Sequence, residues 1–183
     1  MEVRLNEAYK LLSPRLTAVI TTLNSLRAVN ACVVSFISPI SFNPPIVMIS
    51  LAPVRHTYRN ISQTKEFVIN ILGKERLDQM LRCAMKYQEG VNKLEHAGLR
   101  QYSSKLVRPP RVREAKAWLE CKVIDERRMG DHIAVFGEVV AAEVSDQVLS
   151  DGSIDLNKIN PVLHIAKEEF AVDFEIIKHK RYD

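Results

Sequence analysis

The sequence predicts a mainly β protein, an all-β barrel carrying a few short helices. Three observations carry that prediction. Apolar runs of strand length, rich in β-branched residues, recur at 16–23 (LTAVITTL), 28–36 (AVNACVVSF), 45–52 (PIVMISLA) and 66–72 (EFVINIL). The segment 117–145 reads as one long hairpin turning near Met129-Gly130-Asp131, apolar on both faces. The strands are not separated by regular full-length helices, which disfavours a doubly wound α/β fold.

The elements follow in order. Strand 16–23 leads through NSLRA, a turn, into strand 28–36. The polar residues that follow, Ser35, Ser38, Ser41 and Asn43, read either as a long surface loop or as one wall of a pocket for a polar ligand, with Pro39 to Pro45 shaping the turn toward strand 45–52. Pro53 breaks that strand, and His56 or Thr57 opens a short helix over 58–63. In KERLDQMLRCAMKYQEG, residues Leu77, Met80, Leu81 and Ala84 recur at helical spacing, predicting an amphipathic helix that stops at Gly90. On the hairpin, Ala117, Leu119, Cys121 and Val123 alternate with Trp118, Glu120, Lys122 and Ile124. Ile133 and Val135 oppose Ala134, Phe136 and Val140. A barrel buries the inner of two apolar faces, and a covering helix or subunit interface buries the outer. A last strand-like piece, 169–177, closes or covers the structure.

The chain has 183 residues, 46% hydrophobic and 26% charged, which fits a single globular domain spanning 1–183. A net charge of +4 favours an anionic ligand, but it is too small for the dense basic face of a nucleic-acid binder. The basic runs 108–113 and 178–181 read as solvated surface. Cys32, Cys83 and Cys121 are scattered, without CxxC spacing, and read as buried thiols of a reducing compartment. No signal-peptide core occurs, nor any run near the roughly 20 apolar residues of a membrane span, so a cytoplasmic protein is expected. The five histidines lack HxH or HExxH spacing, so no metal is expected. GxGxxG, GxxxxGK[ST] and GxSxG are all missing.

Three groups are left that could carry chemistry. Ser50 ends a strand, and Arg55, His56 and Thr57 fall at the mouth of a helix. A helix N-terminus with a guanidinium and a hydroxyl suits a phosphate monoester; the same residues also read as a cap beside an exposed arginine. Asn30 and Ser35 sit on the neighbouring strand, facing either a ligand or their own backbone. His132, at the rim after the hairpin turn, meets either substrate or solvent.

Five blocks, in order, carry a family resemblance. They are VNACVVSFISPISFNPPIVMISLA, RHTYRNI, EFVINIL, NKLEHAGL and LECKV with GDHIAVFGEVV. Together the chain resembles the flavin reductase-like, FMN-binding split-barrel proteins, which include flavin reductases, flavoredoxin and ferric reductases. The resemblance runs over nearly the whole chain and implies a split β-barrel of Greek-key type, a homodimer, and FMN near the subunit interface. It implies that Asn30, Ala31, Val33 and Ser35 line the ring and ribityl part, and that Ser50, Arg55, His56 and Thr57 hold the phosphate. His132 and Phe170 would meet a nicotinamide. The implied function is NAD(P)H-dependent reduction of a flavin, ferric or protein acceptor through bound FMN, with the flavin carrying the chemistry and no catalytic side chain. LHIAKEEF departs from the family's HRGRY-like segment, and Leu16 stands where the family start has proline. Those departures keep open a flavoredoxin-like carrier, or a non-catalytic FMN-binding protein, that does not use NAD(P)H.

Overall fold

A computed structural model of the chain describes residues 2–177 and 179. The run 178–181 lies largely outside the described residues. A 3-10 turn at Leu5–Leu12 precedes the first strand. In chain order the strands are β1 (Arg15–Leu16), β2 (Ala18–Leu23), β3 (Val29–Val34), β4 (Ile37–Phe42), β5 (Pro45–Leu51) and β6 (Glu66–Ile71). Two short ribbons flank the long hairpin: β7 (Gln101–Tyr102) with β8 (Arg111–Val112), and β11 (Leu149–Ser150) with β12 (Ser153–Ile154). The hairpin itself is β9 (Ala117–Met129) and β10 (His132–Val144), and β13 (Leu163–Ala166) and β14 (Glu169–Ala171) end the series. The helices are α1 (His56–Thr64), α2 (Leu77–Ala84), α3 (Lys93–His96) and α4 (Leu156–Ile159).

Seven strands form one antiparallel sheet in the order β3-β2-β6-β9-β10-β5-β4. Its two outermost strands, β3 and β4, are consecutive in the chain, joined by Ser35 and Phe36. The Ser50 N–H donates to the Phe36 carbonyl at 3.0 Å. The sheet therefore bends back until its ends meet, and the junction is the split of the barrel. The hairpin turns through Gly130 at φ +62, the left-handed region glycine enters without steric cost. Beside a register shift at Phe136/Gly137, a Cβ on Gly137 would lie 2.6 Å from the Phe67 ring, so the interior is packed to the backbone there.

Strand alternation divides the core into two layers. Ala18, Ile20, Ile49, Phe67, Ile69, Cys121, Ile133 and Val135 fill the barrel. Val19, Ala31 and Trp118 point outward and are covered by Met80 and Cys83 of α2 and by Leu94 of α3. The outer face of the hairpin is covered by this layer at Trp118, while farther out Ile124 and Met129 are exposed, so the expectation of two buried faces holds only for its inner end.

Four expectations need correction. Residues 37–42 are not a loop or turn but an edge strand, hydrogen-bonded only to β5, with a register shift between Pro39 and Ser41. An edge strand tolerates a proline and serines that a central strand would not. The helix expected to run to Gly90 ends at Ala84, since Met85 is extended (φ −62, ψ 154) and the next core residue, Leu94, belongs to α3. Of 169–177 only Glu169–Ala171 is strand; it pairs with β13, which pairs with β1, so this piece covers the barrel and does not close it. The basic run 108–113 is not uniformly solvated, because Arg111 is 1% exposed. No described helix is long and apolar enough to cross a membrane.

Candidate functional site

The split opens a groove. One cavity of about 240 Å³ is lined by Val33, Ser35 and Phe36 from the β3–β4 junction, Ser50 and Leu51 from the end of β5, and His132 from the start of β10. A second, of about 490 Å³, is lined by Arg55, His56 and Thr57 at the mouth of α1, by Met85 to Tyr87 after α2, and by Lys93. Cys32, Ala52, Arg55 and Ala84 line both, so the two adjoin and form one depression.

The second cavity holds the helix mouth and Lys93. α1 begins after Arg55 (φ −77, ψ 139), and no side chain caps it, so its first-turn N–H groups have no capping acceptor. Thr57 is not the cap: it sits inside the first turn, and its Oγ1 accepts from Asn30 Nδ2 at 2.9 Å. Asn30 Nδ2 also lies 3.3 Å from Thr22 Oγ1, to which Asn60 Nδ2 donates at 3.0 Å. That buried network ties α1 to β2 and β3 and fixes the helix mouth relative to the barrel. Lys93 lines the same cavity as Arg55, with its Nζ 5.8 Å from the Tyr87 ring centroid. Burial lowers the Lys93 pKa, and Arg55 lowers it further against the raising influence of Cys32 and Cys83. Neither Arg55 nor Lys93 is in an ion pair among the described residues, and no carboxylate lines either cavity.

The first cavity is quieter. The His132 ring lies 5.9 Å from that of Phe36. Its Nδ1 is 2.8 Å from Asp131 Oδ1, and this hydrogen bond lowers the Asp131 pKa. With Nδ1 as donor, Nε2 is left as an acceptor.

Of the residues singled out in the sequence, Val33, Ser35, Ser50, Arg55, His56, Thr57 and His132 come together in this groove. Three do not line it. Asn30 acts behind the wall, through Thr57. Ala31 is fully buried in the outer layer, because it shares a strand face with Val29 and Val33 that packs against α2 and α3. Phe170 stacks on His164 at 5.4 Å. Sequence reasoning missed Lys93, Phe36 and Cys32. Cys32 is not buried like the others: it is half-exposed and lines both cavities, whereas burial pushes the Cys83 thiol up to about 12 and raises Cys121 further still. Among the described residues no cluster of metal-ligating side chains occurs.

A groove with unpaired cations and uncapped helix N–H groups at one end, and a smaller chamber of mixed polar and apolar lining with the Phe36 ring at the other, has the donor set for an anionic ligand with a flat aromatic part. An uncharacterized protein of Aquifex aeolicus (strain VF5) is 30% identical over 176 residues, covering 93% of this chain and 90% of its own. The crystal structure of nitrilotriacetate monooxygenase component B from Bacillus cereus superposes with a TM-score of 0.87 at 24% identity, over 98% of both chains. Flavoredoxin of Desulfovibrio vulgaris (Miyazaki F) gives 0.85 at 24% identity, over 98% of this chain and 97% of its own. The model of the flavin reductase like domain matches residues 12–168. The chain belongs to the flavin reductase like domain family.

Proposed function

We propose that the chain is an FMN-binding oxidoreductase, which takes electrons from NADH or NADPH and passes them to a free flavin, a ferric species or a partner protein. The observation that carries this reading is the presence of Arg55 and Lys93 in one cavity without a single carboxylate, at the uncapped mouth of α1. Two cations in one cavity are stable together only with an anion between them or water around them. A terminal phosphate meets all three donor types: guanidinium, ammonium and backbone N–H.

Arg55, Thr57, His56 and Lys93 hold the phosphate, with Asn30 fixing Thr57. Val33, Ser35 and Ser50 line the remainder, and Phe36 offers a ring face to a flat heterocycle. His132 offers an Nε2 acceptor at the rim, where a nicotinamide would approach. Bound FMN supplies the electron-transfer chemistry; the protein's part is to bind, orient and exclude water. No general acid or nucleophile is needed. The chain acts as a cytoplasmic homodimer, a reading supported by the edge strand β4, whose Phe42 is 97% exposed. Sedimentation would return a single-chain mass if that is wrong.

A second reading is a flavoredoxin-like carrier without nicotinamide chemistry. Phe170 supports it, being packed on His164 and away from the groove. One experiment separates the two. The purified chain is scanned for flavin absorbance, with FMN added if it is colourless, then titrated without oxygen with NADH and with NADPH. The enzyme reading expects a yellow protein bleached by one of them. A yellow protein that neither bleaches is the carrier, and a chain that takes up no FMN ends both readings.

A further inference from the structure

Arg15 lies one layer behind the Phe36 end of the groove. Its guanidinium carbon is 5.7 Å from the Tyr9 ring centroid and 5.5 Å from that of Phe36, which lines the groove. Nη1 donates to the Tyr9 carbonyl at 2.9 Å and to Ser13 Oγ at 2.8 Å. Nη2 donates to the Ile165 carbonyl at 3.1 Å and lies 3.1 Å from His164 Nδ1. Nε is buried and has no hydrogen-bond partner.

None of these partners carries a negative charge. A guanidinium only donates, so His164 Nδ1 accepts from it, and the ring proton sits on Nε2, 3.1 Å from the Lys167 carbonyl. His164 is therefore a neutral ligand of the arginine. Ser35 Oγ, which lines the groove, is 3.4 Å from the same Nδ1. Arg15 thus keeps its whole charge in a half-buried aromatic setting, with no carboxylate paired to it among the described residues. Its field reaches the groove through Phe36 and Ser35, reduced by solvent there but not cancelled by an opposing charge.

We propose that Arg15 is a positioning residue whose uncompensated charge favours the reduced, negatively charged form of the flavin at the Phe36 end of the groove. The proposal rests on the flavin reading above. Two electrons and one proton added to the neutral oxidised ring leave it with one negative charge, and charge near the ring sets its potential. A nearby fixed cation therefore tightens binding of the reduced form and leaves the oxidised form nearly unaffected.

The test is the two-electron midpoint potential of the FMN-loaded protein, measured by equilibration with a reference dye, together with the affinity for oxidised FMN. Arg15→Gln should bind reduced FMN about tenfold more weakly relative to oxidised FMN, a fall of about 30 mV for a two-electron couple. Arg15→Lys should retain the wild-type potential. Ser13→Asp places a carboxylate against Nη1 without removing the arginine, and should lower the potential in the same direction even if Arg15→Gln fails to fold. Wild-type potentials in the flavin-loaded variants would overturn the assignment. So would an equal loss of both affinities in Arg15→Gln with the potential unmoved, since that marks a purely structural role. A wild-type chain that stays colourless with added FMN would defeat the flavin reading and this inference together, and is seen before any reduction is attempted.

Discussion

Two regions of this chain gather cations, one buried and one at the surface of a groove, and they resolve the charge in opposite ways. Behind the hairpin, Arg111 is 1% exposed and fully answered. It pairs with Glu120 at 2.6 Å and Glu143 at 2.9 Å, and lies 3.5 Å from the Tyr102 hydroxyl. Glu120, with no exposure at all, also accepts the N–H groups of Lys105 at 2.8 Å and Leu106 at 2.6 Å. At the split, Arg55 and Lys93 line one cavity with no acid among its residues. Burying Arg111 demands partners, whereas Arg55 is exposed and Lys93 partly buried, so water answers their charge and an anion can replace it. The first arrangement fixes a loop to the barrel, and the second selects a ligand. The contrast separates structure from function without reference to any relative.

The sharpest way to break the contrast is to remove one partner on the structural side. Arg111→Met leaves Glu120 buried with only its two backbone donors. Loss of one member of a buried pair costs about 3–5 kcal/mol, read from urea unfolding of the flavin-free protein. Substituting Glu120 by Met as well removes the orphaned charge and should recover most of that loss. If the single variant were as stable as wild type, the two regions would not differ in kind.

On the ligand side the expected signs reverse. Arg55→Ala with Thr57→Ala removes a charge-assisted donor and a hydroxyl from the phosphate end. At about 1.5–3 kcal/mol for a hydrogen bond to a charged group, FMN affinity should fall by one to two orders of magnitude. Stability without flavin should be unchanged in Arg55→Ala alone, whereas Thr57→Ala should cost about 1–3 kcal/mol, because Asn30 Nδ2 loses its buried acceptor at 2.9 Å. Lys93→Met should weaken FMN less and flatten the salt dependence of binding, since one screened charge has gone. Equilibrium titration of flavin fluorescence at two ionic strengths measures both. Unchanged affinity in the double variant would remove those residues from the site.

How much of this was legible in the sequence follows the same division. Strands whose alternation is written in Val, Ile and Leu were read correctly, including the hairpin and its turn at Gly130. β4 was not, because Ser38, Pro39 and Ser41 carry turn chemistry; only the pairing with β5 makes them an edge strand. The helix after Lys74 was read too long, since local periodicity does not show where the sheet beneath it ends. Within the site, Ser35, Ser50, Arg55, His56, Thr57 and His132 announced themselves by residue type at strand and helix ends. Lys93 did not, as a lysine opening a four-residue helix looks like solvated surface until the fold brings it into one cavity with Arg55. Arg111 and Glu120 were equally silent: pairing across the β8–β9 connection is a tertiary fact, and a basic run normally means exposure.

The smallest expected effect tests the rim of the structural network. Glu143 is partly exposed, and its pKa is held down at about 2, chiefly by the Arg111 hydrogen bond and then by that of Lys105. Its folded pKa lies below the ordinary carboxylate value of 4.5. The stabilisation is therefore fully present above pH 4.5 and lost as the pH falls from there toward about 2. Because the carboxylate is partly solvated, the amount at stake is that of a surface pair, about 0.2–1 kcal/mol. Glu143→Gln should lower stability by that amount at neutral pH and cost nothing further at pH 2. Plotting the difference in unfolding free energy between Glu143→Gln and wild type against pH should give a step confined to that window. A difference that does not change with pH would mean that Glu143 contributes by packing alone, and that the charge of Arg111 is balanced by Glu120.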